Sequence, residues 1–358
     1  MKRILVSNTS ISDQKIGSWT QRITLFYQKN PDFIDFFLCP NLPSESKFIY
    51  CSKKKRVPFL SKWFAYFESP YYRSSEFIRA FEKLGIPDQQ AQVIVMDDII
   101  LLAGFAALKM QGKKFQLIYS FHGHAFKTTG DWIHEVDKVL FLTQLGYKKT
   151  KNIHQEFTPE VSIVGNGVDS KRYFPLNPSA KKDIRSKLGY SSEDILITWL
   201  SNDRPKKGLK LFLKLIPFIL AKFPQVKFQI IGNLSAKVDF GTHVKFLGKL
   251  PNQELPTYLQ ASDVYCFTSL WDEGFGLSLV EAAKCGNVIV ASTNGGIPEV
   301  LENHPASFFV ESPNILEEWL SNITAAIRYV GNYTPDEQFL REFHPVENWE
   351  EKFKEALQ

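Results

Sequence analysis

The chain has 358 residues, 44% of them hydrophobic and 23% charged, which excludes a disordered or low-complexity polypeptide and, at roughly 150 residues per domain, predicts about two domains. Its longest apolar runs, Ile99 to Leu108 and the lysine-interrupted Leu211 to Leu220, fall short of the roughly 20 residues that a membrane-spanning helix needs. The net charge of +5 is uneven: residues 1–165 carry 22 Lys+Arg against 15 Asp+Glu and residues 166–358 carry 21 against 23, so an anionic partner is expected for the first half.

Short apolar runs rich in β-branched and aromatic residues alternate with helix-length amphipathic stretches. Ile4 to Val6 reads as a strand, Trp19 to Lys29 as a helix, Phe33 to Cys39 and Val93 to Met96 as strands, and Ile99 to Met110 as a helix. Strands follow at Phe115 to Phe121, Lys138 to Leu142 and Val161 to Val164. The rhythm then restarts, with strands at Ile195 to Leu200, Val226 to Ile231, Val244 to Leu247, Val264 to Phe267, Asn287 to Ala291 and Ser307 to Val310. Helices are predicted over Lys207 to Lys222, Asn252 to Ala261, Leu277 to Cys285, Leu316 to Val330 and Glu347 to Leu357.

This is the pattern of parallel βαβ units, and it predicts an α/β protein with two Rossmann-like parallel-sheet domains. The turn-forming residues Pro159, Gly165, Gly167, Pro175 and Pro178 mark the junction. The expected domains are 1–160, with a C-terminal helix 338–358 crossing back to it, and 165–334. The cysteines Cys39, Cys51, Cys266 and Cys285 have no CxxC spacing and read as reduced structural thiols. Only a few apolar residues follow Met1-Lys2-Arg3, too few for a signal-peptide core, so a cytoplasmic location is expected.

The most informative segment runs from Val264 to Glu281 as strand, tight loop and helix. Gly274 and Gly276 allow close backbone approach, and a helix opening near Gly276 offers unpaired N–H groups and a positive dipole end to an anion. Glu273 precedes that helix and Glu281 lies about 7 Å along it at 1.5 Å per residue. The two carboxylates bracket a diphosphate-sized site, where they suit hydroxyls flanking the phosphates better than the phosphates themselves. The plainer alternative is a simple turn with a solvated Glu281. Downstream, Gly286 to Leu301 gives another strand, the Gly295-Gly296 turn and a helix opened by Pro298.

Together, Glu273, Glu281 and the Gly295-Gly296-Ile297-Pro298-Glu299 turn resemble the signature of retaining GT-B glycosyltransferases of glycosyltransferase family 4. Asn166 to Asp169 with Phe174-Pro175 resembles the family's entry to its second domain, and Phe246 to Gly248 its base-binding strand end. The resemblance implies two Rossmann-like domains facing across a cleft and transfer of a sugar, with retention, from a nucleotide diphosphate sugar to a glycan or lipid-linked hydroxyl. It also implies no metal or other cofactor, and a role in bacterial surface polysaccharide or lipopolysaccharide synthesis.

By the same resemblance Glu273 contacts the sugar, Glu281 takes the ribose, and the amides around Phe275, Gly276 and Leu277 hold the distal phosphate. Lys207 of the Lys207-Gly208 pair neutralises the leaving diphosphate, with Arg204 as a second candidate. The chain departs from the family at Asn202, where an Arg is usual, and at Ser18, which replaces the second glycine of a loop that begins with Gly17 and is expected to face the diphosphate. His122, in the strand end Ser120 to His124, matches a family position near the reacting sugar. His122 and His124 could also form half a metal site, but no partner spacing supports it, and no Asp-x-Asp occurs.

Residues 47–73 mix seven cations with many aromatics. They read either as a solvated basic loop or as a docking surface, for anionic lipid or for single-stranded nucleic acid. The resemblance favours peripheral contact with the inner face of a membrane, and no nucleic-acid partner is expected. The alternatives to a transferase are another GT-B enzyme, an epimerase or a phosphorylase, or a non-catalytic nucleotide-sugar-binding scaffold.

Overall fold

The computed structural model describes residues 1–11, 18–41, 46–55, 69–128, 130–154, 156–232 and 238–358, apart from the side chain of Ser18. The chain divides into two compact units, one of Met1–Val164 with Phe353–Gln358, the other of Gly165–Lys352.

The first unit is built on seven parallel strands: β1 Lys2–Ser7, β2 Phe36–Cys39, β3 Phe48–Tyr50, β4 Ala91–Met96, β5 Gln116–Ser120, β6 Lys138–Phe141 and β7 Glu160–Ile163. Their spatial order is β3-β2-β1-β4-β5-β6-β7, with register pairs such as Ile4↔Phe36 and Ile4↔Val93. Helices α1 Ser18–Lys29, α2 Pro70–Lys83, α3 Ile99–Met110 and α4 Gln144–Ile153 connect them. Every residue of β4 is buried, because a parallel sheet covered on both faces leaves no side for polar alternation. Asp98 starts α3 by accepting from the amides of Ile100 and Leu101, and its other oxygen takes the Lys53 ammonium at 2.5 Å. That gives one of the basic stretch's cations an internal partner, and Lys54 rests on the Tyr72 ring at 4.6 Å. Residues 56–68 of the stretch lie outside the described residues.

The second unit is a six-stranded parallel sheet: β8 Ile195–Leu200, β9 Val226–Ile231, β10 Val244–Gly248, β11 Val264–Phe267, β12 Val288–Ser292 and β13 Ser307–Val310. The order is β10-β9-β8-β11-β12-β13. Its helices are α5 Pro178–Lys187, α6 Leu209–Lys222, α7 Leu255–Ala261, α8 Leu277–Lys284, α9 Ile297–Val300, α10 Leu316–Tyr329 and α11 Glu337–Glu342. Trp199, Phe212, Phe228 and Trp319 fill the core between sheet and helices. The last helix, α12 Val346–Ala356, begins in this unit and ends in the first. There Phe353 packs edge-on against Phe26, and the Leu357 carbonyl accepts from Arg3 and Gln92.

Several predicted elements need correction. The helix expected over Lys207 to Lys222 begins at Leu209, because Pro205–Lys207 is a 3-10 turn closed by Gly208 at φ +75°. The helix expected over Asn252 to Ala261 begins at Leu255, and the strand over Phe33 to Cys39 begins at Phe36. The terminal segment 338–358 is two helices broken at Phe343–Pro345, with His344 at φ +47°. Strand β3 and helices α2, α4 and α5 were not foreseen: β3 has only three residues and α4 and α5 are rich in polar residues, whereas α2 carries a regular apolar face of Phe77, Ile78 and Phe81 that the sequence reading passed over. The four cysteines are free and buried.

Candidate active site

In both sheets the strand order reverses next to the first strand, between β1 and β4 in one and between β8 and β11 in the other. In open parallel sheets the loops leaving the carboxyl ends of such strands diverge and leave room for a ligand. In the second unit, the loop after β8 carries Asn202, Arg204 and Lys207, and the loop after β11 carries Glu273.

These two loops meet in an ion pair. Lys207 Nζ lies 2.5 Å from Glu273 Oε1, with both side chains mostly shielded from solvent. Ser269 Oγ donates to the same Glu273 oxygen at 2.5 Å. Glycine makes the approach possible at both ends. A side chain at Gly208 would lie 2.0 Å from the Thr268 carbonyl, and one at Gly295 would lie 2.4 Å from the Glu273 carbonyl. Gly295 adopts φ +73°, open to glycine at little cost. The Gly296 amide donates to that same Glu273 carbonyl at 2.8 Å, so the glycine-rich turn after β12 grips the backbone of Glu273 while Lys207 and Ser269 grip its side chain. Lys206 turns the other way, onto the Trp271 ring at 4.8 Å.

Helix α8 starts directly after Glu273. Its N-cap is Gly276, at φ +79° and ψ +60°, with no side chain to accept from the first-turn amides. The capped helices differ: α5 uses Asn177 and α4 uses Thr143 as N-cap acceptors. An uncapped N-terminus presents amide donors and the positive end of the helix dipole, an arrangement suited to phosphate. The Phe275 side chain is buried edge-on against His344 at 5.1 Å, leaving only its backbone for the site. One and a half turns into α8, burial pushes the Glu281 carboxyl up to about 7, against the opposing pull of Tyr173 and Arg172. Glu281 is therefore not the solvated helix residue of the plainer reading.

Asn202 and Arg204 are exposed. The Asn202 side chain accepts from the Arg204 amide at 3.2 Å and so shapes the loop, while the Arg204 guanidinium joins neither the Lys207–Glu273 pair nor any other described residue by hydrogen bond. The structure thus joins Lys207 to Glu273, three residues before the N-cap Gly276 of the helix that carries Leu277 and Glu281, and leaves Arg204 outside the pair.

In the first unit, His122 follows β5. Its Nδ1 lies 3.3 Å from Arg22 Nη2 and its Nε2 lies 3.2 Å from Ser120 Oγ. Because a guanidinium only donates, Nδ1 is the acceptor and Nε2 carries the proton toward Ser120. Trp19 stacks on the imidazole with ring centroids 5.5 Å apart, and the His122 amide donates to Asp97 Oδ1 at 3.0 Å. Burial, reinforced by Arg22, holds His122 well below the ordinary imidazole value, and burial lowers Arg22 itself to about 9. Asp97 sits at φ +47°. Desolvation, with the neighbouring Asp98 charge and against the His122 amide, pushes its carboxyl up to about 6, although its side chain keeps open surface. His124 is buried. Gly17 lies outside the described residues; Ser18 is the first residue of α1. No group of three or more His, Cys, Asp or Glu suited to a metal ion occurs among the described residues.

Ser269, Arg22, Trp19 and Asp97 were not singled out from sequence. Ser269 stands four residues before Glu273 in a loop, a spacing with no periodic signal. Arg22 and Trp19 reach His122 only because α1 packs near the end of β5.

Residues 180–327 match the model of the family described as glycosyl transferases group 1. The GDP-mannose-dependent monoacylated alpha-(1-6)-phosphatidylinositol monomannoside mannosyltransferase of Corynebacterium glutamicum is 28% identical over 225 residues, 56% of this chain and 58% of that protein. The GPI3 subunit of phosphatidylinositol N-acetylglucosaminyltransferase from Saccharomyces cerevisiae is 30% identical over 178 residues, 47% of this chain and 38% of that protein. The chain thus spans about half the length, or less, of these relatives.

Among solved structures, a sucrose-phosphate synthase from Thermosynechococcus elongatus has a TM-score of 0.74 at 15% identity, covering 100% of this chain and 98% of that one. Anabaena HepE in complex with UDP and glucose has a TM-score of 0.67 at 17% identity, with 100% and 99% covered. Likeness at that identity speaks for the fold, which is GT-B. With Glu273, Glu281 and the Gly295–Gly296 turn all inside it, the segment 180–327 belongs to the glycosyl transferases group 1 family.

Proposed function

We propose that the protein is a retaining glycosyltransferase, moving a sugar from a nucleoside diphosphate sugar to a hydroxyl of a lipid-linked acceptor. The observation that carries this reading is the Lys207–Glu273 pair beside the uncapped start of α8. It is a cation, a hydroxyl acceptor and a set of amide donors within one loop cluster, the parts that a diphosphate joined to a sugar requires.

In this reading the diphosphate draws the Lys207 ammonium and the amides of Gly276 and Leu277, and Glu273 turns its carboxylate to the sugar hydroxyls. Glu281 accepts from the ribose. The bond between the anomeric carbon and the phosphate oxygen breaks as the acceptor oxygen bonds to that carbon on the same face, and the acceptor's proton passes to the departing phosphate. No protein base is needed on this path. The chain's own contribution is to hold charge: losing one such contact raises the barrier by about 3 kcal/mol, roughly a hundredfold in rate. His122, with both ring nitrogens engaged and the imidazole neutral, acts as a fixed polar wall and not as a proton carrier.

The lipid-linked acceptor is supported by two relatives whose names specify phosphatidylinositol-based substrates. No helix among the described residues is long and apolar enough to cross a membrane, so the proposed contact with lipid is peripheral, through the basic stretch 47–73. Assembly of bacterial surface polysaccharide or lipopolysaccharide is a setting that would use such a reaction. Nucleoside diphosphate release from UDP-glucose, UDP-N-acetylglucosamine and GDP-mannose, compared between wild type, Lys207→Ala and Glu281→Ala, tests the reading. Both variants are expected to lose about a hundredfold, and near-normal release by Lys207→Ala, alone or together with Glu281→Ala, defeats it.

A further inference from the structure

Glu273 has two carboxylate oxygens, and the structure treats them differently. Oε1 takes both the Lys207 ammonium and the Ser269 hydroxyl at 2.5 Å, whereas Oε2 takes no hydrogen bond from the described residues. If the diphosphate draws Lys207 away, Glu273 loses its strongest partner at the moment its orientation matters. Ser269 is the partner that stays. Its side chain carries no charge for the diphosphate to attract, and it is itself fixed. Ser269 is 2% exposed, and its carbonyl accepts from Ser292 Oγ at 2.7 Å and from Asn294 Nδ2 at 3.0 Å, both at the carboxyl end of β12. The Trp271 amide lies 3.4 Å from the same hydroxyl oxygen, so Ser269 also organises the turn between itself and Glu273.

We infer that Ser269 is the positioning residue of the donor site: it holds Glu273 Oε1 through the exchange of Lys207 from carboxylate to diphosphate, so that Oε2 stays aimed at a sugar hydroxyl. The inference rests on the proposed transferase function and deepens it. It assigns the grip on the sugar, as distinct from the grip on the nucleotide, to a Ser269–Glu273 unit supported by Ser292 and Asn294. A hydrogen bond to a charged group that must be held in one orientation commands a tenfold to hundredfold effect.

The test compares wild type, Ser269→Ala, Ser269→Thr and Lys207→Ala with UDP-glucose, UDP-N-acetylglucosamine and GDP-mannose, and with UDP and GDP alone. Ser269→Ala is expected to lower nucleoside diphosphate release about 10- to 100-fold and to weaken binding of the sugar nucleotide. Affinity for the bare nucleoside diphosphate should stay within twofold and the melting temperature within about 3 °C. Ser269→Thr, which keeps the hydroxyl, should recover at least part of the loss. Parallel loss of affinity for UDP or GDP alone would make Ser269 a structural residue and overturn the inference, as would release within twofold of wild type. If instead Lys207→Ala turns over normally, or wild type releases nucleoside diphosphate from none of the three donors, the transferase reading itself fails.

Discussion

The loops after β8 and β11 in the second unit and those after β4 and β5 in the first all leave the carboxyl ends of neighbouring parallel strands, yet they handle charge in opposite ways. In the second unit, Lys207 and Glu273 neutralise each other directly, and glycines at 208 and 295 bring the backbone close enough for that to happen. In the first, a guanidinium and an imidazole are packed side by side, and burial, reinforced by the guanidinium, keeps the imidazole neutral. Exchangeable charge on one side and a fixed, uncharged dipole on the other is the division expected when one loop set must release a cation to a ligand and the other must only shape a surface. Glu281 adds to the contrast, since it is a carboxyl pressed toward neutrality in the unliganded protein.

The largest test of this comparison acts on the glycine clamp. Gly295→Ala forces a methyl group to 2.4 Å from the Glu273 carbonyl at a positive φ, so unfolding free energy should fall by about 2 to 4 kcal/mol and turnover by more than tenfold. A loss under 1 kcal/mol in urea denaturation would show that the turn can relax and does not hold Glu273.

Next in size is the pH dependence at Glu281. Its folded value is raised from 4.5 to about 7, so the folded state holds the proton more tightly than the unfolded chain between these limits, and stability falls as pH rises through the window. Glu281→Gln should match wild type near pH 4.5 and exceed it at pH 8 by on the order of 1 to 2 kcal/mol. Equal stability at both pH values would remove the carboxyl from the strained role given to it here.

His122 has the opposite sign. Its folded value lies below 6.5, so the unfolded chain takes up the proton first and stability is lost as pH falls below 6.5. His122→Phe should abolish about 1 kcal/mol of the decline between pH 6.5 and 5.5, read from melting curves at the two pH values. An unchanged decline would place the acid sensitivity elsewhere. The smallest effect is expected at Arg204. Arg204→Ala, exposed and outside the ion pair, should shift stability by less than about 0.5 kcal/mol and nucleoside diphosphate release by less than threefold. A loss as large as that of Lys207→Ala would mean that the arginine swings in when donor binds.

What the sequence determined by itself was the alternation of strand and helix, the two-sheet architecture and the spacing of Glu273, Glu281 and the Gly295–Gly296 turn. These are legible because periodicity and glycine punctuation are local consequences of burial and backbone geometry. The short or polar elements, β3 and helices α4 and α5, escaped because their stability comes largely from neighbours, while α2 was legible in the spacing of Phe77, Ile78 and Phe81. Which of the two lysines meets Glu273 was decided by the tertiary structure alone. Lys206 and Lys207 are adjacent and chemically alike, and only the 3-10 turn ending at Gly208 sends one to a carboxylate and the other to an indole ring. The same holds for Ser269 on Glu273 and Arg22 on His122. Such contacts join loops and helices from different strands, and their distances are fixed only when the whole sheet closes beneath them.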